Sequence, residues 1–388
     1  MKRLLVALLC ITPAWGGYSY QRIVTLGSSS VIPASQSSFT VLVCGNAASG
    51  VCNASVAGLN QSGAGAHVLN LDTATSPYTA TFPAPADLIF STTACASPTL
   101  MNWEIDNYVA STGELEAWVL VTSLAANGTF YLCYGNSAIT AFQGGTLGSA
   151  WDSNIYQVFH LGNASTISTT DFKGNANGSI TGSPSASAGL IAGGITTTSS
   201  SNYIDIGNGF SNVSQAAVTF SAWVNFTTLN TINGIVGVNA LGAGAVDSFF
   251  QYTSCGPVGI CLSITTGTGR QTLGHAAPAT GSWHQVVGVY DGTNMYVYVD
   301  GSAGAPVSKT GTITASATHM AIGVVSSDTL DGSIDEVHIS SVGRGANWIL
   351  TEYNNVSSPG TFSAWGVETP VGVGGGCSNR ILLLGVGC

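Results

Sequence analysis

Short apolar runs, broken by Gly, Ser, Thr and Asn, recur along most of the chain, and no stretch holds a 3.6-residue period for long. In the N-terminal part, Arg22–Leu26, Phe39–Val43, Asp87–Ser91, Leu115–Val121 and Thr129–Tyr134 have the length and the β-branched or aromatic content of strands. A second series begins at Phe159 and comprises Tyr203–Gly207, Val218–Phe226, Gly234–Val238, Trp283–Asp291, Met295–Gly301, His319–Val324 and Ser333–Ser340. Regularly spaced short strands of this kind predict sheets packed face to face. Between Trp283–Asp291 and Met295–Gly301, the stretch Asp291-Gly292-Thr293-Asn294 predicts a hairpin turn, because Asp-Gly supplies the backbone conformations that tight hairpins require. One short helix is expected at Ala346–Asn354, ahead of Pro359, and the Gly/Ser/Asn-rich stretch Ala47–Gly65 is expected to form surface loops.

Composition sharpens this picture. The chain has 388 residues, 50 of them Gly, and only 7% are charged. Such material is poor for helices and good for strands joined by tight turns, so the fold class is all-β. The net charge of −10 and the lack of any Lys/Arg cluster beyond the N-terminus exclude a phosphate-backbone binder or a binder of anionic membranes. No apolar run approaches the roughly 20 residues needed for an integral membrane span.

Lys2 and Arg3, the apolar stretch Leu4–Ile11, and Ala14-Trp15-Gly16 have the order of a secretory signal peptide, residues 1–16, with cleavage expected after Gly16. The protein is therefore expected to be secreted or displayed at the cell surface. The remaining cysteines fall in even groups: Cys44, Cys52, Cys95 and Cys133, then Cys255 and Cys261, then Cys377 and Cys388. After an export signal this pattern predicts disulfides, and no pair has the spacing of a zinc or redox motif. A local Cys255–Cys261 bridge is expected, while the pairing within the first four stays open.

Residues 17–156 resemble the secreted family known as domain of unknown function 2341, through YQRIVTL, SSFTVLV, DLIFS, NWEIDNYVASTGELEAWVLV, TFYLCYGN and WDSNIYQVFHL. Residues 157–369 resemble laminin-G-like, concanavalin A-type domains, through SNYIDIGNG, VTFSAWVNF, WHQVVGVYDGTNMYVYVDG and DGSIDEVHISSVGRGANWILTEYNN. The resemblance implies two tandem antiparallel β-sandwiches of jelly-roll type, followed by a Gly-rich linker and tail at 370–388. It is unspecific for activity, because such sandwiches serve lectins, adhesion modules and glucanases alike.

Candidate chemistry is sparse. Glucanases on this fold need two carboxylates on one strand face, and the nearest match is Glu104-Ile105-Asp106, which lacks the pattern's final Glu and lies in the first domain. Glu114 and Glu116 share a face by alternation but are expected in a turn and on a solvated strand face. Asp335 and Glu336 are adjacent and so are expected on opposite faces. Of the six His, His160, His284 and His338 are expected to be structural. The laminin-G-like resemblance implies a structural calcium ion, for which Asp171, Asn175, Asn177 and Asp335 offer oxygens. Phe249, Phe250 and Tyr252, taken as loop aromatics, are candidates for a ligand platform. The leading expectation is a non-catalytic binding or adhesion protein for a glycan or protein partner. The alternatives are a self-assembling subunit of an extracellular filament, sheath or viral fibre, whose close packing sparse charge would permit, and a glycan hydrolase using Glu104 and Asp106.

The tail yields one direct test. Cys377 and Cys388 bracket a segment containing Ile381-Leu382-Leu383-Leu384, an aggregation hazard unless covered. We predict an intrachain Cys377–Cys388 bridge that lays this run against the second sandwich. Non-reducing mass spectrometry of a tryptic digest reads it, since cleavage after Arg380 then leaves two peptides joined by one bond; separate peptides, or pairing with another cysteine, would contradict it.

Overall fold

The computed structural model describes residues 17–47, 51–52, 54–63, 65–73, 84–198, 201–208, 216–229, 232–238, 248–255, 258–314, 319–326 and 328–372. The expected signal peptide and the Cys377–Cys388 tail lie outside them.

The chain is nearly all β, as its composition requires. The first sandwich apposes a sheet of Ser363–Trp365, Tyr20–Leu26, Thr129–Tyr134 and Ile89–Ser91 to one of Gln36–Gly45, Glu114–Leu124 and Trp103–Val109. Phe39, Phe90, Trp103, Phe130 and Leu132 fill the core between them. The stretch expected to be surface loop contributes to this core, because Cys44–Cys52 ties it down and Val56 and Leu59 are buried. Cys95–Cys133 and Cys255–Cys261 complete the bridges among the described residues. Cys95–Cys133 spans 38 residues against 8 and 6 for the other two. In the chain-entropy account it therefore contributes most, roughly 3–4 kcal/mol.

The second sandwich has a seven-stranded sheet, ordered Ser179–Thr181, Tyr203–Gly207, Met320–Ile322, Asn233–Val238, Ser248–Ser254, Val258–Thr266 and Gly269–Ala276. Facing it is a nine-stranded sheet with Gly193–Thr197, Gly332–Ser340, Val218–Phe226, His284–Tyr290 and Asn294–Val299 at its centre. Phe220, Val224, Phe250, Leu262, Tyr290 and Ile322 pack between them. The expected hairpin is present: Asp291 Oδ1 accepts from the Thr293 and Asn294 amides, and Gly292 takes φ 93°.

Strand pairing qualifies the boundary expected near residue 156. Ile155–Phe159 pairs with Gly332–Ser340 and so belongs to the second sandwich. Ser363–Trp365 and Thr369–Pro370 pair instead with Tyr20–Leu26, returning residues 363–370 to the first. The helix Ala346–Ser357 makes that return possible. Asn355 on one flank accepts from the Leu42 amide and donates to the Thr40 carbonyl, so its side chain takes the place of a neighbouring strand along Gln36–Gly45. Glu352 on the other flank accepts from Ser221 and Gln285 of the second sandwich. Farther on, Arg22 donates to the Gly366 carbonyl, and Tyr134 Oη donates to Glu368 at 2.6 Å.

The first sandwich should thus depend on residues far beyond the second. A chain ending at Phe362 should unfold at least about 5 °C below one ending at Gly372, because it strips two strands from Tyr20–Leu26 and removes Gly366 and Glu368 from the buried Arg22. Equal melting temperatures by circular dichroism would contradict this.

Candidate functional site

Two β-bulges, one in each sandwich, aim charged side chains into the seam between them. In Trp103–Val109 the register runs Glu104 opposite Trp118 and Ile105 opposite Ala117, then Asn107 opposite Glu116, leaving Asp106 as the extra residue. Ile105 and Ala117 face the first core, and Glu104 and Trp118 the seam. In Gly332–Ser340, Asp335 lies opposite Trp223 and His338 opposite Ser221, so the register gains a residue there. Glu336 sits in that bulge at φ 46°, a left-handed conformation that costs a non-glycine residue about 1–3 kcal/mol. The bulge overturns the expectation that Asp335 and Glu336 face opposite ways, since both carboxyls point toward the first sandwich.

His160, one residue beyond the strand Ile155–Phe159, lies between these groups. Its Nε2 is 2.9 Å from Glu104 Oε1, and its Nδ1 is 2.9 and 3.0 Å from the two Glu336 oxygens and 3.6 Å from Asp106 Oδ2. Trp151 Nε1 donates to Glu104 at 2.6 Å and Trp118 Nε1 to Asp106 at 3.3 Å. On the far side of Glu336, His338 Nε2 lies 3.1 Å from its Oε2, and His338 Nδ1 lies 3.1 Å from Glu352. His160, Glu104 and Glu336 are 1% exposed or less. A cavity of about 10 Å³, lined in part by Trp118, Trp151, His338 and Glu352, is the space beside them, room for about one water.

Burial and charge compete throughout this cluster. Burial disfavours a charged His160, but Glu336 and Asp106, with hydrogen bonds to Glu104 and Glu336, outweigh it and hold its pKa well above the usual value. His338 is likewise raised, to about 9, by Glu336 and Glu352 against the effect of burial. Glu336 is pulled down to about 2, the two imidazoles prevailing over its desolvation. Burial, reinforced by neighbouring carboxylates, pushes Asp106 and Asp335 up. Burial also raises Glu116 to about 7. Glu116 lies near the Ala192 amide and Asn107 but makes no well-formed hydrogen bond with either of its oxygens. It is fully buried, not on the solvated face expected of it. His160 Nδ1, an Asp106 oxygen and a Glu336 oxygen lie within 4.8 Å of one another and together could hold a metal ion.

The structure distributes the other candidates differently from expectation. Asp171, Asn175 and Asn177 do gather in one turn, but their polar atoms brace backbone: Asp171 accepts from the amides of Val158, Lys173, Asn175 and Ala176, and Asn177 from that of Asp171. Asp335 bonds a separate segment, accepting from the amides of Leu190, Ile191 and Glu336. Phe250 and Tyr252 are not loop aromatics. They lie in the strand Ser248–Ser254 and are buried in the second core, opposite Leu262 and Ile260. Phe249 pairs with Ser263, and its side chain lies outside the described residues. Glu104 and Asp106, the pair nearest a glucanase pattern, are sealed in the seam.

The groups missed in sequence, His160, Glu336, His338 and Glu352, carried one usable signal. In a chain with 7% charged residues, ionisable side chains inside apolar strand motifs stand out, and VFHLG and IDEVHIS both hold them. Strict alternation then misplaced them, because neither bulge is written in the local pattern.

Comparison with known proteins bears on the fold. No curated protein shows significant sequence similarity to the chain. Domain 4 of AbnA, a GH43 extracellular arabinanase from Geobacillus stearothermophilus, in complex with arabinotriose, is similar at 18% identity and a TM-score of 0.43, over 52% of this chain and 98% of that one. The receptor binding domain of botulinum neurotoxin C/D mosaic serotype is similar at 13% identity and a TM-score of 0.42, over 52% of this chain and 51% of that one. The binding domain of botulinum neurotoxin DC in complex with rat synaptotagmin II gives 13% and 0.42, over 54% and 52%. The chain thus spans about half the length of the neurotoxin domains it matches. Residues 198–350 match the model of a family described as the concanavalin A-like lectin/glucanases superfamily, and by that match they form a domain of this superfamily.

Proposed function

We propose that the protein is a secreted, non-catalytic binding protein whose concanavalin A-like domain recognises a glycan or a protein partner, with a first sandwich of the type of domain of unknown function 2341. The observation that carries this reading is the sealing of Glu104 and Asp106. The pair whose spacing comes nearest to a glycosidase faces no cleft. Glu104 is already committed to His160 and Trp151, and the adjoining space is that of about one water. Glycoside hydrolysis needs a sugar ring between two carboxyls, and admitting one here would mean prising the sandwiches apart. The nine-stranded sheet is covered on its outer side by the helix Ala346–Ser357 and the first sandwich, through Trp223, Ser221 and His338. Ligand recognition therefore falls to the outer face of the seven-stranded sheet, on the side away from the first sandwich. There Asp205 and the half-exposed His319 pair at 2.9 Å.

A glycan array run in parallel with reducing-sugar release on the same glycans tests the reading. Binding without turnover is expected, in the native protein and in Glu104→Gln alike. Turnover that disappears in Glu104→Gln would replace the binding role with hydrolysis.

A further inference from the structure

We propose that Asp106, His160 and Glu336 form a binding site for a divalent first-row transition-metal ion of the Zn²⁺ type, with Glu116 as an additional carboxylate beside it. The donor geometry comes first. About a tetrahedral Zn²⁺ with bonds of roughly 2.0–2.1 Å, neighbouring donor atoms stand about 3.3 Å apart. Here His160 Nδ1 stands 2.9 and 3.0 Å from the Glu336 oxygens and 3.6 Å from Asp106 Oδ2.

The surroundings fit a metal-bound histidine. With Nδ1 turned to the ion, Nε2–H donates to Glu104 Oε1, the carboxylate-to-histidine support that fixes the tautomer of a ligating imidazole. Trp118 Nε1 donates to Asp106 Oδ2, the oxygen nearest His160, and His338 Nε2 meets the second Glu336 oxygen, so both carboxylates are fixed by partners of their own.

A separate observation points to a missing partner. Oε2 of Glu104 is buried without a hydrogen bond, and neither oxygen of Glu116 makes a well-formed one with the nearby Ala192 amide or Asn107. Glu116 is close enough to interact electrostatically with both Asp106 and Glu336. Five carboxyls, of Glu104, Asp106, Glu116, Asp335 and Glu336, are buried around two imidazoles. Burial favours the neutral forms of Asp106, Asp335 and Glu116, and a dication would favour their ionised forms where no solvent can. The imidazole donor favours Zn²⁺ and its neighbours over Ca²⁺, which takes oxygens. Three protein donors leave a fourth position free, but because the residues are sealed from any substrate the role is structural, joining Trp103–Val109 of the first sandwich to Gly332–Ser340 of the second.

Because the site is sealed, metal enters with folding. The full-length protein is unfolded in guanidinium with its disulfides intact, then refolded either with Zn²⁺ or with EDTA. Elemental analysis is expected to find about one Zn²⁺ per chain in the first preparation, retained through native dialysis against EDTA. Its melting temperature should exceed that of the EDTA preparation by about 5 °C or more. Refolding with Co²⁺ should give visible d–d absorption that Asp106→Asn and His160→Ala weaken or lose. Substoichiometric zinc together with equal melting temperatures would overturn the proposal, leaving His160 as a purely ionic bridge. Stoichiometric metal that both variants retain would overturn it too, by placing the ion elsewhere. Should His160→Ala fail to fold, the wild-type refolding pair and Asp106→Asn still decide.

Discussion

One imidazole holds the two halves of the molecule in register. His160 is hydrogen-bonded through Nε2 to Glu104 of the first sandwich and through Nδ1 to Glu336 of the second, and all three side chains are buried. A buried ionic contact of this sort adds little net stability when complete, but removing one partner leaves an uncompensated charge and costs about 3–5 kcal/mol. Its effect is therefore on specificity of arrangement. The sandwiches can slide or rotate against each other only by stranding carboxyls. The same need explains the backbone at Glu336, whose left-handed conformation is tolerated because the bulge brings its carboxyl to both His160 and His338.

The chain path reinforces the seam. After the last strand of the second sandwich, Arg344 pairs with Asp152 at 2.6 Å and stacks over Trp348, starting the helix at the junction. Glu352 and Asn355 then attach that helix to opposite partners, one sandwich each. The following residues restore strands to the first sheet, where Trp365 donates to the Cys44 carbonyl beside a disulfide. Two sandwiches by architecture thus form one unit by connectivity: the first needs the strands Ser363–Trp365 and Thr369–Pro370, and they reach it only across the second.

Much of the fold was legible in sequence because sandwiches are written locally. Val218–Phe226 appears with its expected bounds, and the Asp291–Asn294 turn carries its own chemistry. Reading Phe250 and Tyr252 as loop aromatics beside a cysteine turn leaves the strands between residues 248 and 276 unassigned, although VGICLSI sets Ile260, Leu262 and Ile264 on one face as strand alternation requires. The site was less legible for a physical reason. A β-bulge shifts the face of every residue beyond it, and whether one occurs at Asp106 or Glu336 depends on partner strands remote in sequence. Individually, Glu104 reads as half of an incomplete glucanase pattern, His160 as a structural residue, and Glu336 as the neighbour of Asp335 on the opposite strand face. Only their convergence from three segments gives them a common role.

That convergence also bears on the surface. Of the 17 described Asp and Glu residues, nine are buried: Asp72, Asp87, Glu104, Asp106, Glu116, Asp152, Asp171, Asp335 and Glu336. In most proteins such side chains solvate the exterior; here many of them brace loops or close the seam. Asp87 alone accepts from the amides of Leu69, Asn70, Gly135 and Asn136. The exterior is left to Ser, Thr, Asn and Gly, with few charges to steer a partner over distance. A surface of hydroxyls and amides discriminates at contact range, through hydrogen-bond geometry. That mode suits an uncharged, hydroxyl-rich ligand better than a polyanion, so the placement of charge inside and the glycan-binding role proposed for the outward sheet follow from the same scarcity of ionisable residues.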